Sequence, residues 1–271
     1  MSLPSPSPDT AALITGASGG IGAQIARELA ARGHGLVLVA RRRERLSALA
    51  RELAAEHGVR VETIAADLAR PVSLTRIERR LGDLGLEVCI LVNNAGFATG
   101  GPFHESDPKR ELEQVRVLVE AVVALTRSFV PGMVRRGEGA VLNVASTAGM
   151  QPLPHCAGYA AAKAYVLSFS EALHQELRAA GVTVTALAPG PVATDFWRTA
   201  GWRVGGDAFE RVVPRPAWVS ARTAARAGVE GLDRGSRVVV PALPVRAGML
   251  AARCVPNAVK LPALEWVMRR R

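Results

Sequence analysis

Seven short aliphatic runs punctuate the chain at regular intervals: AALIT (11–15), GLVLVA (35–40), VRVETI (59–64), VCILV (88–92), AVLNVA (140–145), VTVTALA (182–188) and RVVV (237–240). Between them lie Ala-, Arg- and Glu-rich stretches of helical periodicity, such as IGAQIARELAARG and RERLSALARELAAEHG, each closed by a glycine suited to a helix C-cap. Strands that read as near-continuous apolar runs are buried on both faces, which requires a parallel sheet covered by helices on either side. The alternation predicts an α/β fold: a Rossmann-type, doubly wound parallel sheet of seven strands with helices on both faces. In such sheets ligands bind beyond the carboxyl ends of the strands, so functional motifs are expected directly after strands.

Residues 11–240 are expected to form one Rossmann-type domain, because neither an internal repeat nor a charged linker divides the 271 residues. MSLPSPSPDT (1–10) reads as a disordered leader without signal-peptide character. Between 195 and 236 the pattern loosens in a Pro-, Gly-, Trp- and Arg-rich stretch, expected to act as a lid. Residues 241–271 form a basic C-terminal extension interrupted by Pro256 and Pro262. No uninterrupted apolar run of transmembrane length is expected. Cys89, Cys156 and Cys254 are odd in number and far apart, and the histidines lack metal-ligand spacing. Neither a disulfide framework nor a metal is expected, and the setting implied is reducing and cytoplasmic.

Thirty-four Lys and Arg against 24 Asp and Glu give a formal charge of +10, which suits an anionic cofactor, an anionic lipid or a nucleic acid equally. Nucleic acid has only this charge behind it and no motif. The terminal WVMRRR allows a weak peripheral contact with an anionic membrane.

TGASGGIG (15–22) follows the first run and opens the first helical stretch. There Gly16 permits a tight turn, Gly20 lets backbone amides approach a diphosphate, and Gly22 lets helix and strand pack closely. The helix N-terminus presents unpaired N–H groups to the phosphates. After the second run, Ala40 stands where a carboxylate would select NAD(H), and Arg41, Arg42 and Arg43 follow. Guanidinium groups pair with a 2′-phosphate, so NADP(H) is the expected cofactor, with Arg41 its foremost contact.

These motifs resemble the short-chain dehydrogenase/reductase family over most of residues 10–195. They continue in the family's order with Asp67 and Leu68 in ADL, NNAG (93–96), Ser146, Tyr159, Lys163, and PGPVAT (189–194). The resemblance implies that Asp67 bonds the adenine ring, Asn94 lies beside the cofactor ribose, and Val192 and Thr194 contact the nicotinamide carboxamide. The implied cofactor set is Gly16, Ser18, Gly20, Ile21, Gly22, Arg41, Arg42, Asp67, Leu68, Asn94, Tyr159, Lys163, Val192 and Thr194. It also implies a homodimer or homotetramer built on long helices near 111–131 and 157–180.

The spacing within YAAAK (159–163) places Lys163 on the same helical face as Tyr159, where an ammonium is expected to lower the phenol's pKa. Ser146 can reach the same point from the end of the fifth strand. In reduction, Tyr159 would protonate a carbonyl oxygen that Ser146 holds, while Lys163 tunes the phenol and bonds the nicotinamide ribose. Tyr165 lacks a lysine partner. One position departs from the family pattern: Leu118 stands where an asparagine commonly supports a water-mediated proton relay. The water is then held by other groups, or proton resupply slows, or the chain binds NADP without turnover as a sensor or scaffold. Met150, Leu153, Phe196, Trp197 and Trp202 offer an apolar lining for a hydrophobic ketone or ketoacyl substrate, although core packing explains such residues equally well.

Overall fold

The computed structural model describes residues 3–194, 196 and 218–269. Its strands are β1 (Thr10–Thr15), β2 (Leu36–Ala40), β3 (Val61–Ala65), β4 (Glu87–Asn93), β5 (Gly139–Val144), β6 (Val182–Leu187) and β7 (Val238–Val239). They form one sheet in the order β3-β2-β1-β4-β5-β6-β7, with every pairing parallel. The described helices are α1 (Gly20–Ala30), α2 (Arg43–His57), α3 (Val72–Leu84), α4 (Pro108–Val115), α5 (Ala121–Arg136), α6 (Ala157–Leu177), α7 (Ala221–Asp233), α8 (Leu243–Arg253) and α9 (Asn257–Arg269).

Successive strand residues point to opposite faces, and each face has its own core. Ile14, Leu38, Val92 and Leu142 pack with Ile25 and Leu29 of α1, Leu46 and Leu53 of α2, and Val229 and Leu232 of α7. Leu13, Val37, Leu91 and Val141 pack with Ile77 and Leu81 of α3 and with Leu125 and Met133 of α5. Each fully buried Leu or Ile contributes about 1.5–3 kcal/mol, so a one-residue register slip, which exchanges the two faces, is strongly opposed. The chain leaves β1 toward β2 on one side, and β4 docks on the other. This change of winding opens a crevice beyond β1 and β4, where the site lies.

Three expectations change. The leader from residue 3 onward is seated, not disordered: the Leu3 N–H donates to Asp233 Oδ1 at 2.9 Å, and Pro4 is buried. Of the expected lid, 195 and 197–217 lie outside the described residues. From 221 to 233 the chain is a regular helix, capped by Ser220 accepting from the Thr223 N–H and burying Ala224, Ala225, Val229 and Leu232. Finally, α4 and α5 run together through a π-turn at Arg116–Glu120 into a continuous helix, Pro108–Arg136, long and apolar enough by length and composition to cross a membrane. Here it seats Leu125 and Met133 in the sheet core.

Candidate active site

Beyond β1 the glycine loop is braced from β4. The Asn94 Nδ2 amide donates to the carbonyls of Thr15 (2.9 Å) and Gly16 (3.3 Å). The buried Thr15 hydroxyl accepts the N–H groups of Asn94 (2.9 Å) and Ala95 (3.0 Å) and donates to the Val92 carbonyl (3.2 Å). Sequence reasoning gave Thr15 no role; a polar residue closing an apolar strand at the switch point was the available signal. A Cβ on Gly22 would stand 2.6 Å from the Gly16 carbonyl oxygen and overlap Asn94 Nδ2. Gly22 therefore serves close packing and does not line the cavity.

That cavity, of about 810 Å³, runs along the carboxyl edge of the sheet. Gly16, Ser18, Gly20, Ile21, Arg41, Arg42, Asp67, Leu68 and Asn94 line one part, and Ser146, Tyr159, Lys163, Val192 and Thr194 another. Every expected site residue but Gly22 borders it. Arg45, Arg110, Glu113 and Val117 also border it and were not anticipated. Arg42, rather than Arg41, is fixed to the glycine loop: its Nε and Nη2 donate to Ser18 Oγ at 3.2 and 2.9 Å. Asp67 accepts the Ala69 N–H at 3.1 Å and shapes the loop after β3. Three guanidinium groups, Arg41, Arg42 and Arg45, thus stand at the end of β2 beside a loop with room for a diphosphate, and these residues fit a dinucleotide carrying an extra phosphate.

Ser146 follows β5 and caps a short 3₁₀ turn (Thr147–Met150), its Oγ accepting the Ala148 N–H at 3.1 Å. Gly149 allows this turn to lie on α6; a Cβ there would come 2.5 Å from the Lys163 carbonyl carbon. Tyr159 and Lys163 are both buried, each 5% exposed. Burial pushes the Tyr159 phenol above its ordinary range, opposed by a hydrogen bond with Ser146 and reinforced by Cys156. Burial alone lowers Lys163 to about 8. Burial therefore sets the net direction of the phenol's shift, which is upward rather than the expected lowering. Lys163 Nζ donates to the Val144 carbonyl at 2.6 Å and lies 5.8 Å from the Tyr159 ring centroid. Leu118 is buried in an apolar cluster with Ala98, Tyr159 and Ala162, and its Cδ2 closes over Gly96.

Of the expected apolar lining, Phe196 borders the cavity, its ring centroid 5.7 Å from that of Tyr159. Met150 instead packs against Val122, Ala145 and Val166, and Leu153 is half-buried away from the cavity wall. Trp197 and Trp202 lie outside the described residues. Tyr165 is exposed and stacked on Phe169, away from the cavity. A buried polar chain, also unanticipated, supports the site from below. Asn93 Nδ2 donates to Asn143 Oδ1 (2.9 Å) and to Thr126 (3.2 Å), and Asn143 Nδ2 donates to Ser170 (2.9 Å), joining β4 and β5 to α5 and α6.

The model of the family described as short chain dehydrogenase matches residues 10–202. The chain belongs to this family. Among short chain dehydrogenases of known structure, an enzyme from Sphingobium yanoikuyae, in complex with NADPH, is 36% identical, with a TM-score of 0.79 over 94% of this chain and 95% of its own. A bulky-bulky ketone specific alcohol dehydrogenase from Comamonas testosteroni is 30% identical, with a TM-score of 0.74 over 92% and 96%. The very-long-chain 3-oxoacyl-CoA reductase of Anas platyrhynchos is 38% identical over 188 residues, 68% of this chain and 60% of the reductase. The aligned region thus spans less than two thirds of that relative.

Proposed function

We propose that the chain is an NADP(H)-dependent oxidoreductase that interconverts a carbonyl and a secondary alcohol, with an apolar ketone or ketoacyl group as substrate. The observation that carries this reading is the meeting of Tyr159, Ser146 and Lys163 in one cavity with the glycine loop and its bound Arg42. Gly16, Ser18, Gly20 and Ile21 hold the diphosphate, Arg41 and Arg42 the 2′-phosphate, Asp67 and Leu68 the adenine, and Asn94, Val192 and Thr194 the nicotinamide half. NADPH, when bound there, would supply the hydride that a carbonyl carbon needs.

Every other step belongs to the chain. Ser146 donates a hydrogen bond to the carbonyl oxygen, and Tyr159, kept protonated by burial, gives that oxygen its proton. Lys163, one N–H committed to Val144, offers its others to a ribose hydroxyl and stabilises the phenolate left behind. Phe196 beside Tyr159 keeps water from the reacting oxygen and favours an apolar substrate. The ketone named for the Comamonas enzyme and the oxoacyl group named for the avian reductase support that substrate class.

Exposed Leu112, Val115 and Tyr165 support a homodimer formed through α4 to α6. Cys89, Cys156 and Cys254, odd in number and far apart in the sequence, support a cytoplasmic setting. The deciding experiment follows NADPH oxidation across a panel of apolar ketones and 3-oxoacyl thioesters, beside Tyr159→Phe. Turnover by the native chain alone supports the proposal, and no turnover despite tight NADPH binding refutes it.

A further inference from the structure

A second cavity, of about 340 Å³, lies at the far edge of the sheet, clear of the one that Tyr159 borders. β3 ends the sheet, and among the described residues no strand lies beyond it. The Leu36 N–H donates to the Arg60 carbonyl and the Ala66 N–H to the Ala40 carbonyl, so the even-numbered residues of β3 face β2. Thr63 and Ala65 therefore turn their backbone N–H and C=O groups outward, and both border this cavity. Around that edge stand four guanidinium groups: Arg43 from α2 on one face of the sheet, and Arg76, Arg79 and Arg80 from α3 on the other. Their charge is unbalanced. Of the residues that border the cavity only Asp83 is acidic, and Arg80 shares Glu62 with Arg60, at 3.6 and 3.3 Å. Among the described residues Arg43, Arg76 and Arg79 have no ion-pair or hydrogen-bond partner, and neither has the Thr63 hydroxyl. Glu78, beside Arg79 in sequence, accepts instead from Ser128 at 2.7 Å. Cations three and four residues apart on one helix face repel each other, a cost that an anion among them removes.

We propose that this cavity is a binding site for a diphosphate group, free or carried by a nucleotide. Guanidinium forks pair with phosphate oxygens in twos, and the Thr63 hydroxyl and the outward N–H groups of Thr63 and Ala65 add donors at the floor. The volume falls in the range of small-ligand sites, about 300–1,000 Å³. A monoanion would leave most of the positive charge uncompensated. A strand of another chain laid along the edge would find only two outward residues inside the cavity, and a second copy would bring the same arginines against each other. None of these four arginines borders the larger cavity, so the site is independent of the substrate reading.

The test is isothermal titration calorimetry on the full chain, loaded with NADP+ and freed of excess, with inorganic diphosphate and, separately, ADP as probes. Binding is expected, weakening at high salt. Arg76→Ala and, separately, Arg79→Ala are expected to weaken it about tenfold or more, as loss of a charge-assisted contact does. Arg226→Ala, at an exposed arginine of α7 that borders neither cavity, removes the same charge and is expected to leave affinity nearly unchanged. Arg76 and Arg79 are exposed, and unchanged circular dichroism separates lost binding from lost fold. Tighter binding of inorganic diphosphate assigns the free anion and tighter binding of ADP a nucleotide; both support the site. No binding of either probe at millimolar concentration overturns the proposal. So does binding that the Arg76 and Arg79 variants weaken no more than Arg226→Ala does. A probe held at the glycine loop would behave in that last way, so this proposal and the cofactor reading fail separately.

Discussion

Tyr159 and Lys163 owe their chemistry to burial more than to each other. A phenol held above its ordinary pKa stays a proton donor across the neutral range, so Tyr159→Phe is expected to lower reductive kcat by about 10²–10⁴-fold while NADPH binding persists. Lys163 titrates near 8, and kcat/KM for reduction is expected to fall as pH rises through that value; a fall only above pH 10 would assign the limb elsewhere. The stability consequence has a definite sign. Between about 8 and 10.5 the unfolded lysine keeps a proton that the native lysine has lost, so this group makes stability rise with pH across that window. Urea unfolding of Lys163→Met is expected to lack that rise. At the other end of the cavity, Arg42→Ala is expected to raise KM for NADPH about tenfold or more and leave KM for NADH nearly unchanged, because a charge-assisted phosphate contact is worth about 1.5–3 kcal/mol. The identity of these residues was legible in their spacing, but the direction in which Lys163 points was not. Its partner is the main-chain carbonyl of Val144, which no side-chain pattern encodes.

At the level of elements, strands were easier to read than connections. β1, β2, β4, β5 and β6 are buried on both faces and so appear as unbroken aliphatic runs. The helix α7 was missed because ARTAARAGVEGLD resembles a loop in glycine content; its Gly231 faces the side chain of Val239, where a Cβ would collide. The leader was misread for a related reason, since its prolines suggest disorder although Leu3 and Pro4 lie against the body. The π-turn at Arg116–Glu120 leaves no mark in apolar periodicity, because a single wider turn shifts the pattern by only one residue. Contacts between elements set the precision of the site. Gly149→Ala would force the Ser146 turn away from α6, and a displacement of about 1 Å there is expected to cut activity about 10²-fold. Stopped-flow single turnovers would locate that loss in the chemical step.

For the whole molecule, the parallel sheet ties segments that are distant in sequence. β1 lies between β2 and β4, and the polar chain from Asn93 through Asn143 to Ser170 links both halves beneath the cavity. Asn143→Ala leaves the Asn93 and Ser170 groups without this buried partner and is expected to lower global stability by about 1–3 kcal/mol, readable as an earlier urea midpoint at unchanged slope. The same topology orders events during synthesis. The glycine loop is complete in sequence by residue 22, yet the hydroxyl of Thr15 meets its amide partners only at Asn94 and Ala95. A nascent chain stalled on the ribosome before those residues emerge carries the loop without its brace, so competence to grip a nucleotide arrives with the fourth strand rather than the first.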